Sequence, residues 1–232
     1  MLNAEDSRHQ IPPADAFGNL SFKRICPHIY TESEISRLLA AARALQPDGS
    51  IRPTTYVTLI SLLAATGIRI SEALAFQVDD LTTDGLLIRM TKFNKSRLVP
   101  VHQTTRDRLC NYLEIRKRWG ALDSSMFVSL HGSGIKYSTV NTVFRELTRI
   151  ARLRGIHGCR NPRMHDLRHT FAVRSLEQCS ADPKAVRRHL VALSTYLGHS
   201  HVTDTYWYLQ STPSLMKQIA ATGEEFYNGG VS

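Results

Sequence analysis

Cysteine is scarce and scattered in this chain. Its four thiols, Cys26, Cys110, Cys159 and Cys179, stand far apart and include no Cys-x-x-Cys pair. That spacing excludes a disulfide framework or a thiolate zinc site and fits reduced packing residues of a cytosolic protein. Long apolar runs are missing too. The richest, residues 59–65, is broken by Ser61 and falls far short of the roughly 20 residues that cross a bilayer. The first residues, Met1-Leu-Asn-Ala-Glu-Asp6, are polar and acidic, unlike a signal peptide. No segment repeats. Acidic residues are few beside basic ones: 20 Asp and Glu against 29 Lys and Arg leave a net charge of +9. The surplus suits a polyanionic partner, because each neutralised phosphate releases counterions. It also fits any soluble basic protein, so charge alone decides nothing.

A chain of 232 residues can hold one large domain or two small ones around a sizeable core. Residues 1–22, interrupted by Pro12, Pro13 and Gly18, carry no periodic apolar face and read as a flexible tail; residues 23–232 read as one folded domain. Thr31-Glu-Ser-Glu34 has the pattern of a capping box and opens a helix to about Leu45. A second helix follows Pro53, and a third carries Ser71 to Phe76. Between Gly85 and Val101 the period changes. Leu86, Leu87, Ile88 and Met90 form one strand-like run and Leu98, Val99 and Val101 another, with a turn near Phe93-Asn94. Pro100 places the second run at an edge or leaves it unpaired there. Met126-Phe-Val128 adds a candidate third strand. Val140, Val143, Phe144, Leu147 and Ile150 then recur at helix spacing, while Arg145, Arg149 and Arg152 share another face, either solvated or turned to DNA. Thr212-Pro213 opens a last helix, with an apolar stripe of Leu215, Met216 and Ile219. The expected fold class is mainly α with a small antiparallel β-sheet.

Six side chains stand in distinctive settings. Arg69 lies in Ala65-Thr-Gly-Ile-Arg-Ile-Ser-Glu72, where Glu72, three residues on, can orient its guanidinium. Lys92 sits where the first strand meets the turn, with Lys95 and Arg97 following. His165-Asp-Leu-Arg-His169 aligns His165 with both Arg168 and His169 on a helix. Histidines at i and i+4 also suit zinc, but that pattern needs Glu after the first His and a third ligand, and Arg168 inside the pair repels a cation. In Tyr196-Leu-Gly-His199 the glycine reads as a helix C-cap, so His199 begins a new segment. Tyr208 follows nine residues later, with Tyr206 as a rival hydroxyl that cannot share its helix face. Together, Arg69, Lys92, His165, Arg168 and His199 can surround a phosphorane-like transition state with charge and donors, and Tyr208 can supply a nucleophile.

In this order and these settings the residues resemble the tyrosine recombinase (phage integrase) family, over roughly residues 30–220. The resemblance implies the tyrosine recombinase catalytic-domain fold, of the DNA breaking-rejoining type. It implies that Arg69 binds the scissile phosphate, with Glu72 supporting the site, and it assigns Arg168 to the active site. It assigns His165 to a proton or a phosphate oxygen, His199 to a non-bridging oxygen, Tyr208 to attack and His169 to a supporting place. Lys92 matches the hairpin lysine that protonates the leaving 5′ oxygen; relatives commonly have glycine where Phe93 stands, which keeps Lys95 as the fallback. The implied reaction cuts and rejoins DNA through a 3′-phosphotyrosine and uses neither metal nor ATP, so no cofactor is expected. The expected partners are double-stranded DNA and further copies of the chain assembled on it, alone or with another recombinase, in the cytoplasm and with no membrane.

Two departures accompany the match. Residues 1–30 are too few for the helical core-binding domain that usually precedes the catalytic domain, so no complete one is expected. The stretch from Arg168 to His199 is longer than usual, and its polar segment 180–189 reads as an inserted loop or an extended helix. Two other readings therefore stand beside the recombinase: a DNA-binding accessory or truncated recombinase that does not recombine alone, and a relaxing enzyme like the type IB topoisomerases.

Overall fold

The structure is a computed structural model that describes residues 27–89, 96–155, 161–179 and 182–199, together with Thr205 and Tyr208. The expected tail, the hairpin turn with Lys92 and Lys95, the alternative tyrosine Tyr206, and the helix after Thr212 all lie outside the described residues.

Helix α1, Glu32–Arg43, starts where the capping box places it. The Thr31 hydroxyl accepts from the Glu34 N–H while the Glu34 carboxylate accepts from the Thr31 N–H, at 3.2 and 2.8 Å. Helix α2, Ile51–Thr66, begins before Pro53 rather than after it, because proline is tolerated in a first turn whose N–H groups have no intrahelical partner. Its buried residues, which include Tyr56, Leu59, Ile60, Leu62 and Leu63, form one broad face, with half-buried Val57 and Ser61 on the other side. It packs against α1, against α4 (Gln103–Trp119) and against α6 (Asp166–Glu177).

Short α3, Ile70–Ala75, leads through a 3₁₀ turn at Val78–Asp80 to a two-stranded antiparallel sheet. Strand β1, Leu86–Ile88, pairs with β2, Arg97–Val99, in the register Leu86–Val99 and Ile88–Arg97. Alternation puts Leu86, Ile88 and Val99 on the buried face and turns Leu98 outward, 45% exposed. Arg97 therefore shares the inward face. Strand β2 ends directly before Pro100, in keeping with the missing ladder donor there.

The expected third strand does not form. Met126, Phe127 and Val128 are all buried, yet they bond singly to two different segments: the Met126 N–H donates to the Phe76 carbonyl and the Ile135 N–H to the Phe127 carbonyl. Tyr112 fixes this segment to the helices, accepting from the Val128 N–H at 3.3 Å and meeting the Thr55 hydroxyl at 3.1 Å.

Helix α5, Tyr137–Ile150, lays Val140, Val143, Phe144 and Leu147 on the core. Helix α6 is tied to the start of the described chain: the Tyr30 N–H donates to the Thr170 hydroxyl, and Arg174 donates to the Tyr30 carbonyl. The segment expected as a loop or an extended helix contributes instead to a separate helix, α7, Pro183–Leu197, capped by Asp182, whose carboxylate accepts from the Ala185 N–H. Helices α6 and α7 enclose a second small core of Val173, Leu176, Val186, Leu190, Leu193 and Leu197. No helix among the described residues is long and apolar enough to cross a membrane.

Candidate functional site

Three helix ends meet where α7 stops. Gly67 ends α2 in the left-handed conformation, at φ 61°, and delivers Ile68 and Arg69 to the start of α3. A side chain at Gly67 is excluded twice, since its Cβ would also stand 2.5 Å from the Phe171 ring. Gly198 ends α7 in the same conformation, at φ 68°. Asp166 opens α6, its carboxylate accepting from the Arg163 N–H at 2.8 Å.

Arg168, 3% exposed, donates to the Gly67 and Leu197 carbonyls, each at 2.8 Å. Arg69 donates to the Gly198 carbonyl at 3.0 Å and reaches Leu197 at 3.4 Å. Arg97 donates to the Tyr196 and Leu197 carbonyls, both at 3.2 Å. Thus three guanidiniums meet on the Leu197 carbonyl, at the end of a helix whose dipole favours cations.

Glu72 is their counter-charge. Arg97 grips it with two N–H groups at 3.0 and 2.9 Å, and Arg69 adds its side chain and its main-chain N–H, both at 2.9 Å. Arg69 is thus not on the helix with Glu72 but caps it from outside. Burial alone would raise the Glu72 pKa; the bonds from Arg97 and Arg69 outweigh it and hold the carboxyl below its usual range. Burial, and then the charge of Arg69, bring the Arg168 pKa down to about 10, which leaves it charged at neutral pH. Three arginines against one carboxylate leave a local surplus of two positive charges, suited to an anion.

The rings form the other wall. His165 lies at the N-terminal end of α6, edge-on to His169 with centroids 4.7 Å apart. His169 is 5.5 Å from the Tyr208 ring, and His199 stacks on Tyr208 at 6.0 Å and 22°. His199 Nδ1 is held 2.8 Å from the Thr205 hydroxyl. Burial and then the Arg168 charge lower the His165 pKa, while burial and then His165 push His169 down to about 3. Neutral His169 therefore packs beside Tyr208, which is 3% exposed and belongs to the α6–α7 core.

The structure thus brings together Arg69, Glu72, His165, Arg168, His169, His199 and Tyr208. The sequence reading missed Arg97 as a partner of Glu72. Its signal was there: in a strand of period two, Arg97 falls on the same face as Val99. Among the described residues, no group of three His, Cys, Asp or Glu side chains is placed to hold a metal ion.

A mainly helical domain thus focuses three arginines on one point beside a tyrosine set among histidines, an arrangement whose positive surplus suits an anion. Residues 29–214 match the model of the phage integrase family, and the chain belongs to that family. It is 40% identical over 225 residues to the putative integrase/recombinase y4rB of Sinorhizobium fredii, covering 93% of this chain and 71% of that relative. The solved structure of XerA recombinase superposes with a TM-score of 0.65 at 24% identity, over 85% of this chain and 64% of that one. A post-cleavage complex of XerH site-specific recombinase with a palindromic difH substrate gives 0.67 at 21% identity, over 89% and 56%. At these identities the two structures establish the shared fold: a mainly helical tyrosine recombinase catalytic domain with a small antiparallel sheet.

Proposed function

We propose that this chain is a site-specific recombinase domain that cuts and rejoins double-stranded DNA through Tyr208. The observation that carries the reading is the meeting of Arg69 and Arg168 on one carbonyl oxygen, with the stacked His199–Tyr208 pair following the same helix end. A phosphate oxygen in that carbonyl's place would accept from both guanidiniums, which match phosphate in charge and fork geometry.

In the proposed reaction the Tyr208 oxygen forms a bond to the scissile phosphorus as the bond to the 5′ oxygen breaks. The phenolic proton passes to a base, and the 5′ oxygen takes a proton from Lys92, with Lys95 as the alternative donor. Arg69 and Arg168 stabilise the charge that builds on the non-bridging oxygens, and His165 and His199 donate or relay protons at the same group. Glu72 holds Arg69 in place. A 3′-phosphotyrosine and a 5′-hydroxyl result, and attack by a partner strand's 5′-hydroxyl reverses the step. The phosphodiester's energy is retained in the tyrosyl ester, so neither ATP nor a metal takes part.

XerH was solved on a palindromic substrate, and a palindrome presents two equivalent half-sites to two-fold related protomers. By likeness, we assign this chain to an assembly of copies on DNA in the cytoplasm, alone or with a second recombinase. The test is covalent trapping on a nicked suicide duplex. The unsubstituted chain is expected to form an adduct that survives denaturation, Tyr208→Phe to form none while still binding DNA, and Tyr206→Phe to keep it. An adduct retained by Tyr208→Phe and lost in Tyr206→Phe reassigns the nucleophile; no adduct from any variant leaves an accessory DNA-binding role.

A further inference from the structure

The side of α2 that carries Val57 and Ser61 borders a groove of about 440 Å³, whose other wall is α4. Val57 and, across from it on α4, Ile115, 40% exposed, give the groove an apolar strip. Thr54, Thr58 and Ser61 add hydroxyls along the α2 wall. The Ser61 hydroxyl is buried and has no hydrogen-bond partner among the described residues. A serine inside a helix commonly donates to the carbonyl four residues back, so this donor is left for a group from outside the helix. The rim is basic. Arg43 and Arg108 are both exposed, no Asp or Glu lines the groove, and among the described residues neither arginine pairs with a carboxylate. Arg43 stands in the last turn of α1, where a helix favours a cation; Arg108 lies inside α4 and has no such reason.

Such a groove fits an extended segment that offers apolar side chains, carbonyls to accept from hydroxyls, and negative charge. Residues 1–22, outside the described residues, supply one. They carry Glu5, Asp6 and Asp15 against a single arginine, Arg8, in a chain whose net charge is +9. Within them Ile11-Pro-Pro-Ala-Asp-Ala-Phe17 joins two large apolar residues, an aspartate and two prolines. Pro12 and Pro13 fix their own φ and bias the residue before each towards extended backbone, so less freedom remains to be lost on docking. Neither brings an N–H that the groove would have to satisfy.

The lengths agree. Helix α1, which ends at Arg43 on the groove, has 12 residues and extends over about 18 Å. Residues 18–26 reach about 30 Å when extended, enough to return along α1. From Thr54 to Ala65 the α2 wall runs about 16 Å, the length of roughly five extended residues. We propose that residues 11–17 dock in cis in the α2–α4 groove, with Ile11 and Phe17 on the apolar strip, main-chain carbonyls accepting from the hydroxyls of α2, and Asp15 facing Arg43 and Arg108. A short tether presents its segment at an effective concentration on the order of 1 mM, so a contact too weak to hold a free peptide is populated within the chain. Docking here is independent of the recombinase reading, since none of these residues belongs to the site around Arg69.

The test is photocrosslinking in the full chain, with benzoylphenylalanine in place of Phe17 so that an aromatic ring is kept there. Crosslinks are expected within one chain, on residues 54–65 and 104–115, at a yield independent of protein concentration. Asp15→Arg should lower that yield several-fold, and so should Arg43→Asp/Arg108→Asp; the three changes together should restore it. Both arginines are exposed, so these variants should keep the fold, which circular dichroism checks. Crosslinks that join two chains would put a second copy's segment in the groove and overturn docking in cis. Crosslinks confined to other surfaces would overturn it as well, as would groove crosslinks whose yield ignores both charge reversals.

Discussion

Arg97 and Glu72 form a two-pronged ion pair, Nη1 to Oε1 at 3.0 Å and Nη2 to Oε2 at 2.9 Å, between a strand and a helix 25 residues apart in sequence. The Arg97 side chain is only 15% exposed and that of Glu72 10%, so neither has water as a ready substitute partner. The pair joins β2 to α3, and through Glu72 it braces Arg69.

Arg97→Gln is therefore expected to lower stability by about 1–3 kcal/mol, since a shielded carboxylate loses its main partner. Arg97→Lys should fall between, keeping the charge but not the fork. Urea unfolding of the three proteins measures this. Equal midpoints would mean that the pair adds nothing to folding. The same variants should cleave DNA more slowly than they lose affinity, because Arg69 would remain present but less firmly held.

Two glycines separate backbone strain from steric conflict. Gly49 and Gly67 both have positive φ, at 71° and 61°, but a Cβ at Gly49 meets nothing within 4 Å whereas one at Gly67 meets the Phe171 ring at 2.5 Å. Gly49→Ala should cost about 1 kcal/mol and Gly67→Ala about 1–3 kcal/mol more, with the ring forced aside. Thermal melts of both variants provide the comparison; equal losses would show that Phe171 yields freely.

Acid should weaken the fold through His169. Its pKa is about 3 in the folded chain against 6.5 for an ordinary histidine, so the unfolded chain binds the proton first. The contribution is intact above pH 6.5 and is lost as pH falls from there toward 3, at up to about 1.4 kcal/mol per pH unit. Burial lowers His165 as well, which adds to the same trend. In His169→Gln, unfolding free energy plotted against pH between 7 and 5 should be flatter than in the unsubstituted chain. Parallel curves would remove His169 as the cause.

Cleavage of a suicide duplex is expected to proceed unchanged in EDTA. The expectation follows from the surplus of positive charge that Arg69, Arg97 and Arg168 leave over Glu72. Loss of product on chelation, restored by zinc or magnesium, would reopen the His165–His169 pair as ligands.

Local signals in the chain were legible where local physics decides the outcome. Thr31 and Glu34 announced the start of α1, and Gly198 the end of α7, because capping is a matter of a few neighbouring residues. The motif settings located Arg69, Arg168, His199 and Tyr208, and the fold brings them together. Met126-Phe-Val128 misled because a buried apolar triplet looks the same whether it pairs with one strand or bonds singly to two segments. For a related reason, period two in β2 turns Arg97 inward but does not say what it meets. Its partners Glu72 and the α7 carbonyls are distant in sequence, and no pattern within β2 names them.

The Leu197 carbonyl has a consequence for the folded chain itself. Arg69, Arg97 and Arg168 stand on three separate segments, and one oxygen at the end of α7 accepts from each of them. The place where that helix stops is thereby referred to three distant parts of the sequence at once, so any shift of it is felt by all three.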